Sequence, residues 1–460
     1  SSSMENIENY IDEHREEFKD ELVELLQIPS ISTNSEHKPD VLSAANFLKD
    51  KLESLELDEV KLFETDGNPI LFAQHNYNPD APTVLIYGHY DVQPPDPIDL
   101  WDSPPFEPEI RDGKIYARGT CDDKGQLFIH LKALESFHQT QTELPVNVKF
   151  ILEGEEEVGS PNLKPFLKDH KDLLACDMVL ISDTAMFAED TPSITYGLRG
   201  LAYLEVEVTG PKRDLHSGIY GGAVDNPVNV LCEMITQMKD EQGRITIPGF
   251  YDDVKPLTPE DRKAFAELPF DEDAYKEELG LKALNGEEGY STLERAAARP
   301  TLDVNGIWGG YTGEGAKTVL PSKANAKISM RLVPDQEPEA IKKLFTDYVH
   351  QIAPETVSVT VEAHHGGYPA ITDLSFYGLK AAGKAFEKVY GKKPLYSREG
   401  GSIPIVADFK KILGAESILM GFGLDSNAIH SPNEHFLMKD FYRGIKTSTE
   451  FFQLLPKYSE

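Results

Sequence analysis

The sequence predicts an α/β fold made of two domains, one inserted into the other. Three observations carry that expectation. At 460 residues the chain exceeds what one hydrophobic core ordinarily organises. Its first two hundred residues alternate short apolar runs with helical patterns, as a mostly parallel sheet covered by helices requires. From about Leu198 the runs instead alternate apolar and polar residues, as strands with one solvated face do. The earlier style returns after "GGYPA", so the outer domain is expected to be discontinuous, 1–197 with 371–460, around an α+β insertion at 198–370.

The three serines ahead of Met4 read as an added leader and stand outside the fold. Ile7, Ile11, Phe18, Leu22 and Leu25 recur near helical spacing and predict an amphipathic helix over 5–27. "TVLIYGHYD" (83–91), "VKFILEGEEE" (148–157) and "DMVLISD" (177–183) each run from aliphatic residues straight into histidine or carboxylate. Between the first two, Leu127, Leu131 and Leu134 mark a helix in "KGQLFIHLKALESF". In parallel sheets ligands bind beyond the carboxyl ends of the strands, where all three polar clusters fall.

In the insertion, "AYLEVEVTG", "AKISMRLVP" and "TVSVTVEAHH" are expected strands and "NPVNVLCEMITQM" a helix. An acidic helical stretch fills roughly 251–299, and the glycine-rich "GIWGGYTGEG" (306–315) is expected to be a loop. It lacks the strand and helix context of a phosphate-binding loop. "LSFYGLKAAGKAFEKVYG" and "SILMGFG" supply a helix and a strand of the outer domain.

Composition excludes several functions. A net charge of −33 argues against nucleic acid or an anionic membrane as partner. No apolar run approaches the ~20 residues of a membrane span, and no secretory apolar segment opens the chain. Three cysteines, Cys121, Cys176 and Cys232, are too few and odd in number for a disulfide framework, which points to a reducing cytoplasm.

Histidine and carboxylates are the ligands of borderline and hard cations, and two-ion sites hold the ions ~3.5–4 Å apart through shared ligands. The chain offers His89, Asp122 in "RGTCDDKG", Glu156 and Glu157 in "EGEEEVGS", Asp183 in "ISDT" and His430 in "SNAIHSPNEH". Each has an ordinary explanation alone. Asp-Asp before a helix often caps it, "GEEEVG" reads as a solvated turn, Asp183 can simply end a strand, and a single late histidine is usually structural. The joint pattern at three strand ends is what sets the group apart.

"GHYDVQPP", "SPPF", "DGKIYARGTCDDKG", "EGEEEVGS", "YGLRG", "DLHSGIYGGAV", "KTVLPSKANAKISMRLVP", "EGGSIP" and "AIHSPNE" together resemble the M20 metallopeptidases, in particular the cytosolic non-specific dipeptidase and carnosine dipeptidase branch. The resemblance runs from "IPSIS" at 28–32 to the last forty residues. It implies a catalytic outer domain and an inserted lid and dimerisation domain, hence a homodimer. It implies two divalent ions, Zn²⁺ or Mn²⁺. His89 and Asp183 would hold one ion and Glu157 and His430 the other, with Asp122 bridging across a cis Asp122–Asp123 peptide. Glu156 would be the general base that deprotonates a bridging water, and Asp91 would orient His89. His216, lent by the neighbouring subunit, would assist the scissile carbonyl. Arg331 would grip the substrate carboxylate, with Thr318, His365 and Ser402 as further substrate contacts. His216 can equally cap a turn, and Arg331 can close an ion pair.

The implied reaction is hydrolysis of the peptide bond of dipeptides or short peptides. The same site could instead serve an N-acyl amino acid, and an inactive metal-binding scaffold is the rival of another class. An intact Glu156 speaks against the scaffold.

Overall fold

All seven residues of the Thr83–His89 strand are buried, as a strand covered on both sides must be. In the computed structural model, which describes residues 3–75 and 78–459, this strand lies at the centre of a mixed sheet. It pairs in parallel with Asn147–Glu153 on one side and Met178–Ile181 on the other. Glu416–Met420 continues the parallel set beyond Met178–Ile181. Ile70–Gln74 and Glu59–Phe63 extend one flank antiparallel, and Ser193–Leu198 pairs antiparallel with Glu416–Met420 on the other. The fold is α/β with a mostly parallel central sheet. Register sets His89 level with Glu153, so the polar residues following both strands emerge at one end of the sheet.

The chain divides into two compact units: 1–196 with 372–397 and 408–460, and 197–371 with 398–407. Of the three serines expected to stand outside the fold, Ser1 and Ser2 lie outside the described residues and Ser3 begins the first helix. The helix Met438–Tyr458 packs against both Lys124–Gln139 and Tyr377–Tyr390 in the first unit. Leu127, Leu131 and Leu134 are buried there, as their spacing predicts. The expected helix over 5–27 is two helices, Ser3–Glu13 and Arg15–Leu26. His14 breaks it: its ring stacks on Tyr10 and its Nδ1 lies 2.8 Å from the Tyr10 carbonyl, with φ −110° and ψ 15°. The apolar face survives the break, with Ile7, Ile11, Phe18, Leu22 and Leu25 all buried.

The second unit holds a four-stranded antiparallel sheet ordered Asp303–Gly309, Lys323–Leu332, Gly200–Thr209, Ser358–Ala363. Gly200–Thr209 alternates buried and half-buried residues along its whole length. Its inward Ala202, Leu204, Val206 and Val208 form a core with Val230, Leu231 and Met234 of the Pro227–Thr236 helix and Ile341, Phe345 and Val349 of Pro338–Ile352. The acidic stretch folds as three short helices, Pro259–Glu267, Glu272–Leu279 and Thr292–Ala297. Reciprocal capping boxes at Thr258/Asp261 and Ser291/Glu294 start the first and last.

Two further expectations need correction. Residues 306–309 of the glycine-rich stretch are strand, paired with Lys323–Leu332; a register shift between Val304 and Gly306 hides the alternation from a reading of the sequence. The Arg398–Ala407 segment clusters with the inserted unit, because Arg199 binds the Gly400 carbonyl and Ser402 binds the Arg199 carbonyl.

Candidate metal centre

His89 ends its strand fully buried. Gly88 beside it lets the first turn of the Lys124–Gln139 helix approach closely: a Cβ there would stand 2.8 Å from Leu127 Cβ and 3.2 Å from Asp123 Oδ2. That approach brings the Asp122–Asp123 peptide, which is cis, alongside the imidazole.

Asp122 then lies between two histidines. Its Oδ1 is 3.0 Å from His89 Nε2 and its Oδ2 is 2.7 Å from His430 Nε2. Glu157 Oε2 stands 3.3 Å from the same His430 nitrogen. On the other side, Asp183 Oδ2 is 3.4 Å and Glu156 Oε2 3.7 Å from His89 Nε2. All six residues converge in one unit.

Electrostatics follow from crowding carboxylates out of water. Burial, then the negative charge of Asp122, pushes the Asp183 carboxyl up to about 8. Burial raises Glu156 to about 7; His89 opposes this, while Glu157, Asp122 and Asp91 add to it. Hydrogen bonds to Asp122 and Glu157 raise His430 to about 10. Excess negative charge around two imidazoles is what a pair of divalent cations would satisfy, and the donors fit one. Asp122 turns one oxygen toward each histidine, and the triads Asp122–Glu157–His430 and His89–Asp123–Asp183 each gather their donor atoms within 4.8 Å. Asp123 was not among the ligands expected from sequence. Its Oδ2 accepts the His89 backbone N–H at 3.2 Å, and its buried Oδ1 has no hydrogen-bond partner.

Asp91 does more than face His89. The His89 Nδ1 lies 3.0 Å from the Asp91 carbonyl and 3.2 Å from its Oδ1. The carboxylate also accepts the backbone N–H groups of Glu156 and Glu157, at 3.2 and 3.0 Å, and the Ser32 hydroxyl at 2.6 Å. Ser32 belongs to "IPSIS", whose apolar frame gave no sign of this contact.

The remaining candidates lie in the second unit. His216 is exposed, caps the short Ser217–Tyr220 helix and accepts the Gly218 N–H on Nδ1 at 2.9 Å. Its strand pairs with Val319–Leu320, and Ser217 N–H donates to the Thr318 carbonyl, so Thr318 is its neighbour. Arg331 Nη1 lies 3.4 Å from the Ser402 hydroxyl, and that hydroxyl donates to the Arg199 carbonyl at 2.6 Å. Among the described residues Arg331 makes no ion pair within 4.0 Å, which leaves its guanidinium available to an anion. His365 is exposed, its ring parallel to that of Tyr203 with centroids 6.5 Å apart.

The model of peptidase family M20/M25/M40 matches residues 85–454. The Cys-Gly metallodipeptidase of Schizosaccharomyces pombe is 33% identical over 99% of each chain. The structure of human carnosine dipeptidase 1 aligns with a TM-score of 0.74 and 30% identity, covering 99% of each chain. Sso-CP2, an M20 family metallo-carboxypeptidase of Sulfolobus solfataricus, aligns with a TM-score of 0.78 and 36% identity over 96% of this chain and 99% of its own.

Proposed function

Since this chain belongs to peptidase family M20/M25/M40 and is a metallopeptidase, we propose that it hydrolyses the peptide bond of dipeptides or very short peptides at a pair of divalent cations, Zn²⁺ or Mn²⁺. The observation that carries this reading is Asp122, whose two oxygens serve two histidines beside a half-buried Glu156. His89, Asp122 and Asp183 would hold one ion, and Asp122, Glu157 and His430 the other, with Asp123 reinforcing the first set. Such ions supply Lewis acidity and lower the pKa of water bound to them.

The chain's own groups do the rest. Glu156, its carboxyl raised to about 7, takes a proton from the attacking water and returns it to the leaving amine. Asp91 fixes the backbone on which Glu156 stands. His216 accepts on Nδ1, so its Nε2 carries the hydrogen and can donate to a developing oxyanion. Arg331 binds the substrate's free carboxylate, with Thr318, His365 and Ser402 as flanking contacts. The inserted unit acts as lid and dimerisation domain, and His216 serves the partner copy. Its outermost strand, Asp303–Gly309, supports this with an unpaired edge and exposed Val304, Ile307 and Trp308. Three free cysteines suit a reducing cytoplasm, and among the described residues no helix is long and apolar enough to cross a membrane.

Likeness to a metallo-carboxypeptidase favours one second reading, removal of C-terminal residues from longer peptides. A panel of dipeptides, tetrapeptides and N-acetyl amino acids, assayed with Zn²⁺ and with Mn²⁺, separates these possibilities. The dipeptidase reading requires the dipeptides to have the highest kcat/KM. Faster turnover of tetrapeptides selects the carboxypeptidase, and of N-acetyl amino acids a deacylase.

A further inference from the structure

Four residues beyond His430 stands Glu434, a carboxylate 1% exposed in which four donors end. Its Oε1 accepts Arg118 Nη1 at 2.9 Å and the Gly119 N–H at 3.1 Å. Its Oε2 accepts the N–H groups of Cys121 and Asp122 at 3.0 and 3.1 Å. Arg118 is as deeply buried, and its guanidinium reaches two other segments. Nη1 also donates to the Ser431 carbonyl at 3.0 Å, and Nη2 to the Pro94 carbonyl at 3.1 Å. One ion pair thus ties together three chain segments: that following His89, that ending in Asp122, and that carrying His430.

The His430 segment needs such restraint. Ala428, His430 and Asn433 all have φ near +60°, a region that residues with a Cβ occupy sparingly and keep only where their surroundings impose it. Buried N–H groups in a segment without regular structure also need an acceptor, and Glu434 supplies it to three of them.

We infer that Glu434, locked by Arg118, is a positioning residue that sets the separation of Asp122 from His430, and hence affinity for the ion those two residues share. The inference rests on the two-ion reading above. A merely structural ion pair would affect folding and weaken both ions alike.

Calorimetric titration of the metal-stripped protein with Mn²⁺ tests it, beside melting of the metal-free protein. Glu434→Gln keeps the size but turns an NH₂ toward N–H donors. The variant should bind the ion held with His430 about tenfold more weakly or worse, the scale on which supporting partners of metal ligands act. The other ion, which shares Asp122 but not His430, should weaken clearly less. Rescue by Glu434→Asp should be partial. Binding of both ions within twofold of wild type, or equal weakening of both with a lowered melting temperature, overturns the inference. Should Glu434→Gln not fold, Arg118→Lys carries the same test, because lysine cannot span Glu434, Ser431 and Pro94 together. A wild type that takes fewer than two ions sinks the two-ion reading itself, which is a separate outcome.

Discussion

Asp91 Oδ2 accepts the backbone N–H of Glu157 at 3.0 Å, so a residue two positions beyond the strand's end holds the glutamate turn in place. The same oxygen takes the Ser32 hydroxyl, and Oδ1 takes the Glu156 N–H. Asp91→Asn removes an acceptor and turns an NH₂ against those donors. Its kcat should fall by about 10–100-fold, the range typical of groups that hold metal ligands or their neighbours. Ser32→Ala removes one donor and leaves the N–H contacts, so its loss should be smaller. Steady-state kinetics with metal content measured on the same samples checks the order. Equal losses, or none for Asp91→Asn, would contradict it.

Glu156 belongs to one candidate metal group, with His89 and Glu157, but to neither of those built on Asp122 or Asp183, whereas Glu157 also reaches His430. On the reading proposed above, Glu156 is the base and Glu157 the ligand. Glu156→Gln should therefore retain both ions by elemental analysis while turnover falls by about 10² or more, as loss of a general base demands. Near-normal turnover would remove Glu156 from the chemistry.

The clustering of candidate ligands was partly legible because residues at strand ends are local: His89, Glu157 and Asp183 each follow an apolar run that announces the strand. His430 follows no such run; residue type made it a candidate, and the motif resemblance gave it a role. Ser32, Asp123 and Glu434 stayed hidden for a common reason. Each acts on the backbone N–H or carboxylate of a residue distant in sequence or turned by a cis peptide, and no periodicity encodes such pairings. The break at His14 was equally unreadable, since a histidine normally sits in a helix without bonding the carbonyl a turn back.

His130, outside the centre, gives acid sensitivity a specific origin. Both ring nitrogens lie 2.8 Å from serine hydroxyls, Ser448 and Ser182, and burial depresses its pKa from 6.5 to about 3. The folded chain keeps this ring neutral while the unfolded chain protonates it below about 6.5. Its contribution is therefore complete above that pH and is lost progressively as pH falls from 6.5 toward 3, by up to ~1.4 kcal/mol per pH unit. His130→Gln should be less stable at pH 7.5, yet its denaturation midpoint should fall less steeply between pH 7 and 5 than that of wild type. Parallel slopes would show that His130 does not set the acid limb.

On the function proposed above, Arg331 would decide whether substrate length is read at the carboxyl end. Its guanidinium projects from the outer face of the Lys323–Leu332 strand beside the Ser402 hydroxyl, without an ion-pair partner among the described residues. A planar guanidinium forms two parallel bonds to a carboxylate, and bonds of this charged kind contribute roughly 1.5–3 kcal/mol. Lysine keeps the charge and loses the fork. Arg331→Lys should thus lower kcat/KM on a dipeptide by about tenfold or more, the free-energy equivalent of one such bond, and barely alter the already poor rate on the C-terminally amidated dipeptide. The ratio of the two substrates, in wild type and variant, is the measurement. If amidation costs the wild type nothing, or if the variant loses both substrates equally, Arg331 is part of the sheet's framework and the carboxylate is held by another residue.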